Sequence, residues 1–154
     1  LWIVVGATIF VHIYTAVGAQ DLVRNIIIAL PVSPVVILIG IQLTFFVMGM
    51  FLDPTGIVLL TAPVFVPVAV SLGWDPIWFG ILYAINMEMG FLTPPFGVNL
   101  FYLKGIVPSD VTMADIYRAI VPFVGLQAIG LIIVILFPQI AVWLPNQIFG
   151  LQVL

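Results

Sequence analysis

The sequence contains no cysteine and a single histidine, His12, among its 154 residues. The absence of cysteine excludes disulfides and thiolate chemistry, and one histidine argues strongly against a histidine-rich metal site. Charged residues are also scarce, with Lys and Arg numbering 3 and Asp and Glu numbering 6. Because nucleic-acid binding relies on clustered Lys and Arg, we expect no nucleic-acid partner.

Apolar residues make up most of the remaining sequence. They make up 64% of the chain, whereas charged residues make up 6%, compared with roughly 25% charged residues in soluble domains. Uncharged runs approach the about 20 residues that a helix needs to cross a bilayer. The composition therefore predicts an all-α integral membrane protein. Leu1 lies within an apolar run that lacks an initiator Met, a basic region and a cleavage site, so we expect a fragment rather than a signal peptide.

Polar turns and prolines divide the chain into four segments. They predict a transmembrane helix and polar turn (1–30), a helical hairpin (31–74), a discontinuous transmembrane helix (75–104), and a loop with the last transmembrane helix (105–154). The polar turn is placed at residues 20–25. The last span is placed at residues 120–144, ending at Pro145, after a capped helix start within residues 109–115.

The hairpin turns at Asp53-Pro54-Thr55-Gly56, between uncharged runs at 35–52 and 54–72. Two interpretations remain open. The arms are two full spans joined at a surface, or they form a re-entrant hairpin whose tip lies inside the protein. Gly49 and Asp53 place a glycine and a carboxylate near this tip, which favours a polar cavity there.

The discontinuous helix is interrupted at Thr93-Pro94-Pro95-Phe96-Gly97. The two prolines have no N–H to donate, and Gly97 adds backbone freedom. Irregular chain at membrane depth is tolerated only where it is buried in protein or lines a cavity. Broken helices of this kind hold ion and substrate sites in secondary transporters. Released carbonyls, with side-chain oxygens of Thr93 and Asn99, are candidate cation ligands, although a simple proline kink is the alternative.

Glu88 is the only charged residue between Pro76 and Leu103. An ionisable residue within a span is a functional hypothesis by default. It is a proton-coupling group, a charge in a cavity, or a structural partner of a distant Arg or Lys. We group Glu88 with Asn86 and Pro95 as candidates for a substrate cavity, although an asparagine in such a helix more often makes an interhelix hydrogen bond than binds a ligand.

The distribution of basic residues gives an orientation. Lys104 and Arg118 flank one loop, whereas Arg24 lies on the opposite side. The positive-inside rule therefore places the Lys104–Arg118 loop in the cytoplasm. Trp74, Trp78 and Trp143 would then form an interfacial aromatic belt at the other face.

An ordered series of motifs resembles the C-terminal part of the large membrane subunit of tripartite ATP-independent periplasmic (TRAP) transporters. The series comprises Gly49-Met50-Phe51-Leu52-Asp53, Pro63 and Pro67, Asp75-Pro76 with Phe79-Gly80, Gly90 to Gly97, and Asn99-Leu100-Phe101. The resemblance implies half of an inverted-repeat, elevator-type transporter that imports organic acids with sodium. It implies a small four-helix membrane subunit, a periplasmic binding protein and a bacterial or archaeal inner membrane. The sodium ligands expected are Gly49, Asp53, Thr93, Pro94, Gly97 and Asn99, with no other cofactor.

Two other classes of protein are weighed against a transporter. An intramembrane enzyme is not supported, because Gly-x-Ser-x-Gly, His-Glu-x-x-His and paired mid-span Asp residues are lacking. A channel or a structural membrane subunit is the remaining alternative. A channel would conduct without stoichiometric sodium coupling, so ion-coupled uptake separates it from a transporter.

Overall fold

The computed structural model describes residues 1–95 and 97–149. Phe96 and residues 150–154, which fall in the predicted break and last segment, lie outside the described residues. The described part is helical and contains no strand, as the prediction of an all-α protein requires. Its helices are α1 (Trp2–Ala16), α2 (Ala19–Ile28), α3 (Pro34–Phe51), α4 (Pro54–Ser71), α5 (Pro76–Phe91), α6 (Val98–Ile106), α7 (Met113–Leu136) and α8 (Gln139–Phe149).

Helices α3, α4 and α5 each begin with a proline at the first turn, where the missing N–H has no helical partner to lose. Aspartates cap two of them. Asp53 accepts a hydrogen bond from Gly56 N at 3.2 Å, and Asp75 accepts from Ile77 N at 2.7 Å and Trp78 N at 3.0 Å. The predicted turn at Asp53 is therefore the junction between α3 and α4.

The core lies where α3, α4 and α5 meet. Phe45 of α3 is 1% exposed, and Leu82 of α5 is fully buried. The Phe45 ring lies edge-on to Tyr83 at a centroid distance of 4.6 Å and to Phe65 of α4 at 5.2 Å. These contacts hold the hairpin of α3 and α4 against α5, and so fix the relation between the hairpin turn and the later part of the chain.

Three helices of the described part, α3, α4 and α7, are long and apolar enough to cross a membrane. The pair α1 and α2 passes the same test together but is bent by 72°. Helix α7 exposes a long series of apolar side chains, including Val121, Leu126 and Ile129. Length and composition together indicate a multi-pass membrane protein.

Residues 20–25 are not a turn, so the sequence-based placement was wrong. They lie within α2, and Gly18, with φ 71°, separates α2 from α1. The apolar residues on either side of the polar ones give α2 an amphipathic pattern that packs against α4. Arg24 Nε donates a hydrogen bond to Ser71 Oγ at the end of α4.

The single span predicted at residues 120–144 is also wrong. Helix α7 ends at Leu136 and α8 begins at Gln139, because Pro138 biases Phe137 away from helical geometry. Pro145 lies inside α8 rather than ending it. The capped start within residues 109–115 is confirmed, since Thr112 and Asp115 form a reciprocal capping box at the start of α7.

Candidate ion and substrate site

The predicted break is present, since α5 ends at Phe91 and α6 begins at Val98. Pro94 and Pro95 would be the ordinary helical donors to the carbonyls of Gly90 and Phe91, but neither has an N–H. The Gly90 carbonyl instead accepts a hydrogen bond from Thr93 N at 3.0 Å. The two half-helices therefore meet at a segment in which the regular backbone hydrogen bonding is interrupted.

Thr93 and Gly97 lie at the two ends of this break. Thr93 Oγ1 donates to the Met89 carbonyl at 2.7 Å, which uses its proton and leaves its oxygen lone pairs free to accept. Gly97 is buried with φ 35°, and a Cβ there would lie 2.9 Å from Leu100 Cδ1. The positive φ favours glycine here, whereas the close contact is with the end of a leucine side chain, which can shift.

Gly49 and Gly90 bring the hairpin turn to the break. A Cβ on Gly90 would lie 2.9 Å from Gly49 Cα, 3.0 Å from its carbonyl carbon and 3.2 Å from the Phe46 carbonyl oxygen. The backbones of α3 and α5 are therefore in direct contact close to the end of each helix. Asp53 follows Gly49 by one turn, and Thr93 follows Gly90 by three residues.

A cavity of about 440 Å³ lies at this end of the molecule. Its lining is made by Asp53, Pro54, Glu88, Phe91, Asn99 and Tyr102. It brings together three candidates from two predicted segments, namely Asp53 of the hairpin with Glu88 of α5 and Asn99 of α6, which lie on either side of the break in the discontinuous helix. Two carboxylates and an amide supply hard oxygen atoms, which suit hard cations rather than soft ones.

Glu88 also lines a second cavity of about 530 Å³, between α5 and α7. Gln127 of α7 lies on the wall of that cavity, and its side-chain oxygen is buried with no hydrogen-bond partner among the described residues. Glu88 therefore lies between a cavity with several polar lining residues and a largely apolar one.

Asn86 is placed elsewhere. It is 1% exposed, and its amide Nδ2 donates to the Gln42 backbone carbonyl at 2.6 Å and to Gln42 Oε1 at 2.7 Å. It therefore joins α5 to α3 and does not line the 440 Å³ cavity. Gln42 was missed by the sequence reading, although a lone amide within an apolar helix usually indicates an interhelix hydrogen bond.

The remaining candidates surround the break without lining the 440 Å³ cavity. Pro94 and Pro95 are exposed, Thr93 is half-buried, and Gly49 and Gly97 are buried. Gly90 and Tyr102 were not proposed as site residues. The sequence could have indicated a role for Gly90, because a small residue in an apolar helix often lies where two helix backbones approach closely.

These features define a multi-pass α-helical membrane protein with a helix broken beside a hairpin turn. The chain belongs to the family described as "Tripartite ATP-independent periplasmic transporter, DctM component", whose model matches residues 1–140. The family predicted from the ordered motifs is thereby confirmed.

Three curated relatives illustrate the similarity. The C4-dicarboxylate TRAP transporter large permease protein of Vibrio cholerae is 33% identical over 154 residues, covering 100% of this chain and 34% of the relative. The ectoine large permease of Halomonas elongata is 34% identical over 148 residues, which cover 96% of this chain and 32% of the relative. The sialic acid large permease of Vibrio cholerae is 30% identical over 147 residues, which cover 96% of this chain and 34% of the relative. The chain thus spans about a third of their length, and all three are named as permeases, which agrees with the prediction that it is not an enzyme.

Proposed function

We propose that the protein containing this chain is the large permease subunit of a TRAP transporter that imports organic acids by sodium-coupled alternating access of the elevator type. Family membership supports the class of protein. The contact between the hairpin turn and the broken helix, beside a cavity lined by Asp53 and Glu88, is the observation that supports coupling to a cation.

The proposed coupling follows from charge. Two carboxylates that line one cavity repel an anionic substrate, although both side chains are exposed in the described structure and the repulsion is therefore partly screened. A sodium ion bound by oxygens of Asp53, Asn99 and the break removes that repulsion. Substrate and sodium then bind with positive coupling, which is reciprocal by thermodynamic linkage. Glu88 contributes to the electrostatics of the cavity in this scheme and does not need to carry a proton.

The proposed assembly includes a small four-helix membrane subunit and a periplasmic substrate-binding protein, in the inner membrane of a bacterium or archaeon. The names of the relatives include a C4-dicarboxylate, sialic acid and ectoine. We therefore propose the substrate only as an organic acid.

Uptake by the full transporter in proteoliposomes tests this proposal. We expect substrate accumulation to require an inward sodium gradient. Thr93→Val keeps the shape of the side chain and removes an oxygen, so half-saturating sodium should rise by roughly tenfold if that oxygen is a ligand, equivalent to about 1.4 kcal/mol.

Thr44→Val is the matched control, because Thr44 Oγ1 makes the same type of bond to the Gly40 carbonyl, at 2.9 Å, on exposed α3 surface. It should leave half-saturating sodium unchanged. An unchanged value in Thr93→Val would remove that hydroxyl from the ligands. Flux that is independent of sodium and does not accumulate substrate would favour the channel alternative over the whole proposal.

A further inference from the structure

The end of the molecule opposite the break carries a buried carboxylate that the proposed transport mechanism does not use. Asp75 is 6% exposed, and its Oδ1 accepts the two backbone hydrogen bonds that cap α5. Its Oδ2 is buried and has no hydrogen-bond partner in the described part of the chain. A buried charged oxygen without a donor is costly, so the surroundings of this oxygen suit a cationic or hydrogen-bond-donating group.

Asp75 lines a cavity of about 190 Å³ with Trp74, Trp78 and Gln139, at the junction of α5 and α8. Trp78 Nε1 donates to the Val134 carbonyl of α7 at 2.8 Å, which fixes the ring and uses its only donor. The cavity therefore offers a carboxylate oxygen, an amide and two indole rings.

The basic side chains of the chain either hydrogen-bond to other residues or lie away from Asp75. Arg24 donates to Ser71, and Lys104 Nζ donates to the Val111 carbonyl at 2.5 Å. Arg118 lies in the first turns of α7, whereas Val134, near the other end of that helix, contacts Trp78. Asp75 thus has no cationic partner within the described residues.

A primary ammonium group has the chemistry that fits this cavity. Its N–H groups can donate to the free Asp75 oxygen and to the Gln139 amide oxygen, and its charge is attracted to indole faces. A quaternary ammonium has no N–H and would leave the Asp75 oxygen without a donor.

We propose that this cavity binds the ammonium headgroup of phosphatidylethanolamine at the membrane interface. Tryptophan is enriched at that depth, where one side of the ring is apolar and the other is wet. Next to Gln139, helix α8 exposes Ile140, Trp143 and Leu144, which are 63%, 61% and 55% exposed. These side chains provide an apolar surface for the acyl chains of a lipid whose headgroup lies at Asp75.

Lipid retention in the full transporter tests the proposal. The complex is equilibrated with equal amounts of phosphatidylethanolamine and phosphatidylcholine, purified, and examined by native mass spectrometry. We expect selective retention of phosphatidylethanolamine. Asp75→Asn keeps an oxygen that caps α5 and removes the charge, so retention should fall by roughly tenfold, as for loss of a charge-assisted hydrogen bond.

Asp115→Asn is the control, since it changes another helix-capping carboxylate, at the start of α7, and should leave retention unchanged. Gln139→Leu provides a second variant that cannot disturb the cap of α5, and it should also weaken retention. Equal retention of the two lipids by the wild-type complex would overturn the proposal. Unchanged retention of phosphatidylethanolamine in Asp75→Asn would also overturn it. If that variant kept the lipid but released the small membrane subunit, a basic side chain of that subunit would be the partner of Asp75.

Discussion

At the scale of single residues, Gly49 and Gly90 set the distance between the hairpin turn and the broken helix. Each lacks a side chain at the point where two backbones touch. Asn86 and Gln42 lie further along the same pair of helices and join them by hydrogen bonds of 2.6 and 2.7 Å. A close backbone contact and a buried amide pair therefore hold α3 and α5 in one arrangement, and the position of the candidate site depends on both.

Gly90→Ala tests the close contact. The added methyl group would lie 2.9 Å from backbone atoms of Gly49, and backbone cannot rotate away as a flexible side chain can. We expect α3 and α5 to separate, with a loss of about 1–3 kcal/mol in stability, seen as a lower unfolding temperature in detergent, together with weaker sodium-dependent uptake.

Gly80→Ala is the matched control for that prediction, because Gly80 lies in the same helix and a Cβ there meets nothing within 4 Å. This variant should be neutral or slightly stabilising, since alanine favours helix over glycine by about 1 kcal/mol. Equal unfolding temperatures for the two variants would show that the contact between Gly49 and Gly90 does not constrain the fold.

At the scale of helices, the break between α5 and α6 is the element on which the proposed cation site depends. Converting Pro94 and Pro95 together to Ala restores two N–H donors and removes the steric bar to a continuous helix. A continuous helix would use its own carbonyls. We expect the double variant to insert and assemble but to lose sodium-driven uptake in the reconstituted transporter.

Pro122→Ala is the comparison for the double variant, because Pro122 lies inside α7, which continues through it without a break. It should retain uptake. Wild-type uptake and sodium affinity in the Pro94 and Pro95 double variant would show that the break is a kink with no role in ion binding.

Local chemistry explains which helices the sequence predicts well. The start of α4 follows from Asp53-Pro54 and the start of α7 from its capping box, because caps and prolines act within a few residues. Helix α2 was not predicted because the prediction considered only its polar residues and not the apolar residues that pack against α4. The end of α7 was missed because Pro122 and Pro138 look alike in sequence, yet only the second ends a helix.

At the scale of the whole molecule, the all-α architecture, the hairpin turn and the broken helix could be predicted from composition and turn chemistry. The contacts that build the site could not. Asn86 and Gln42 are 44 residues apart, and neither residue identifies its partner without the packing of α3 against α5. Asn86 illustrates this limit, because its residue type suits either a cavity or an interhelix hydrogen bond, and only the packing of the two helices shows that its Nδ2 donates to Gln42.

The length of α5 has an electrical consequence. Its 16 residues extend about 24 Å, against a hydrocarbon core of about 30 Å, so the break lies nearer to the Lys104 end of the protein. In the predicted orientation, and if the break kept this depth in both states of the transporter, a cation reaching it from the cytoplasm would cross roughly a fifth of the membrane field and one arriving from outside roughly four fifths. At about 2.3 kcal/mol per charge per 100 mV, sodium affinity would then change by about twofold per 100 mV from inside and by about twentyfold from outside. The proposed elevator movement carries the break across the membrane with the transport domain, so it would reduce this asymmetry. Half-saturating sodium measured on each side of proteoliposomes at clamped potentials separates the two cases: a strongly unequal voltage dependence would indicate a break of fixed depth, and an equal one would indicate a break that moves with the transport domain.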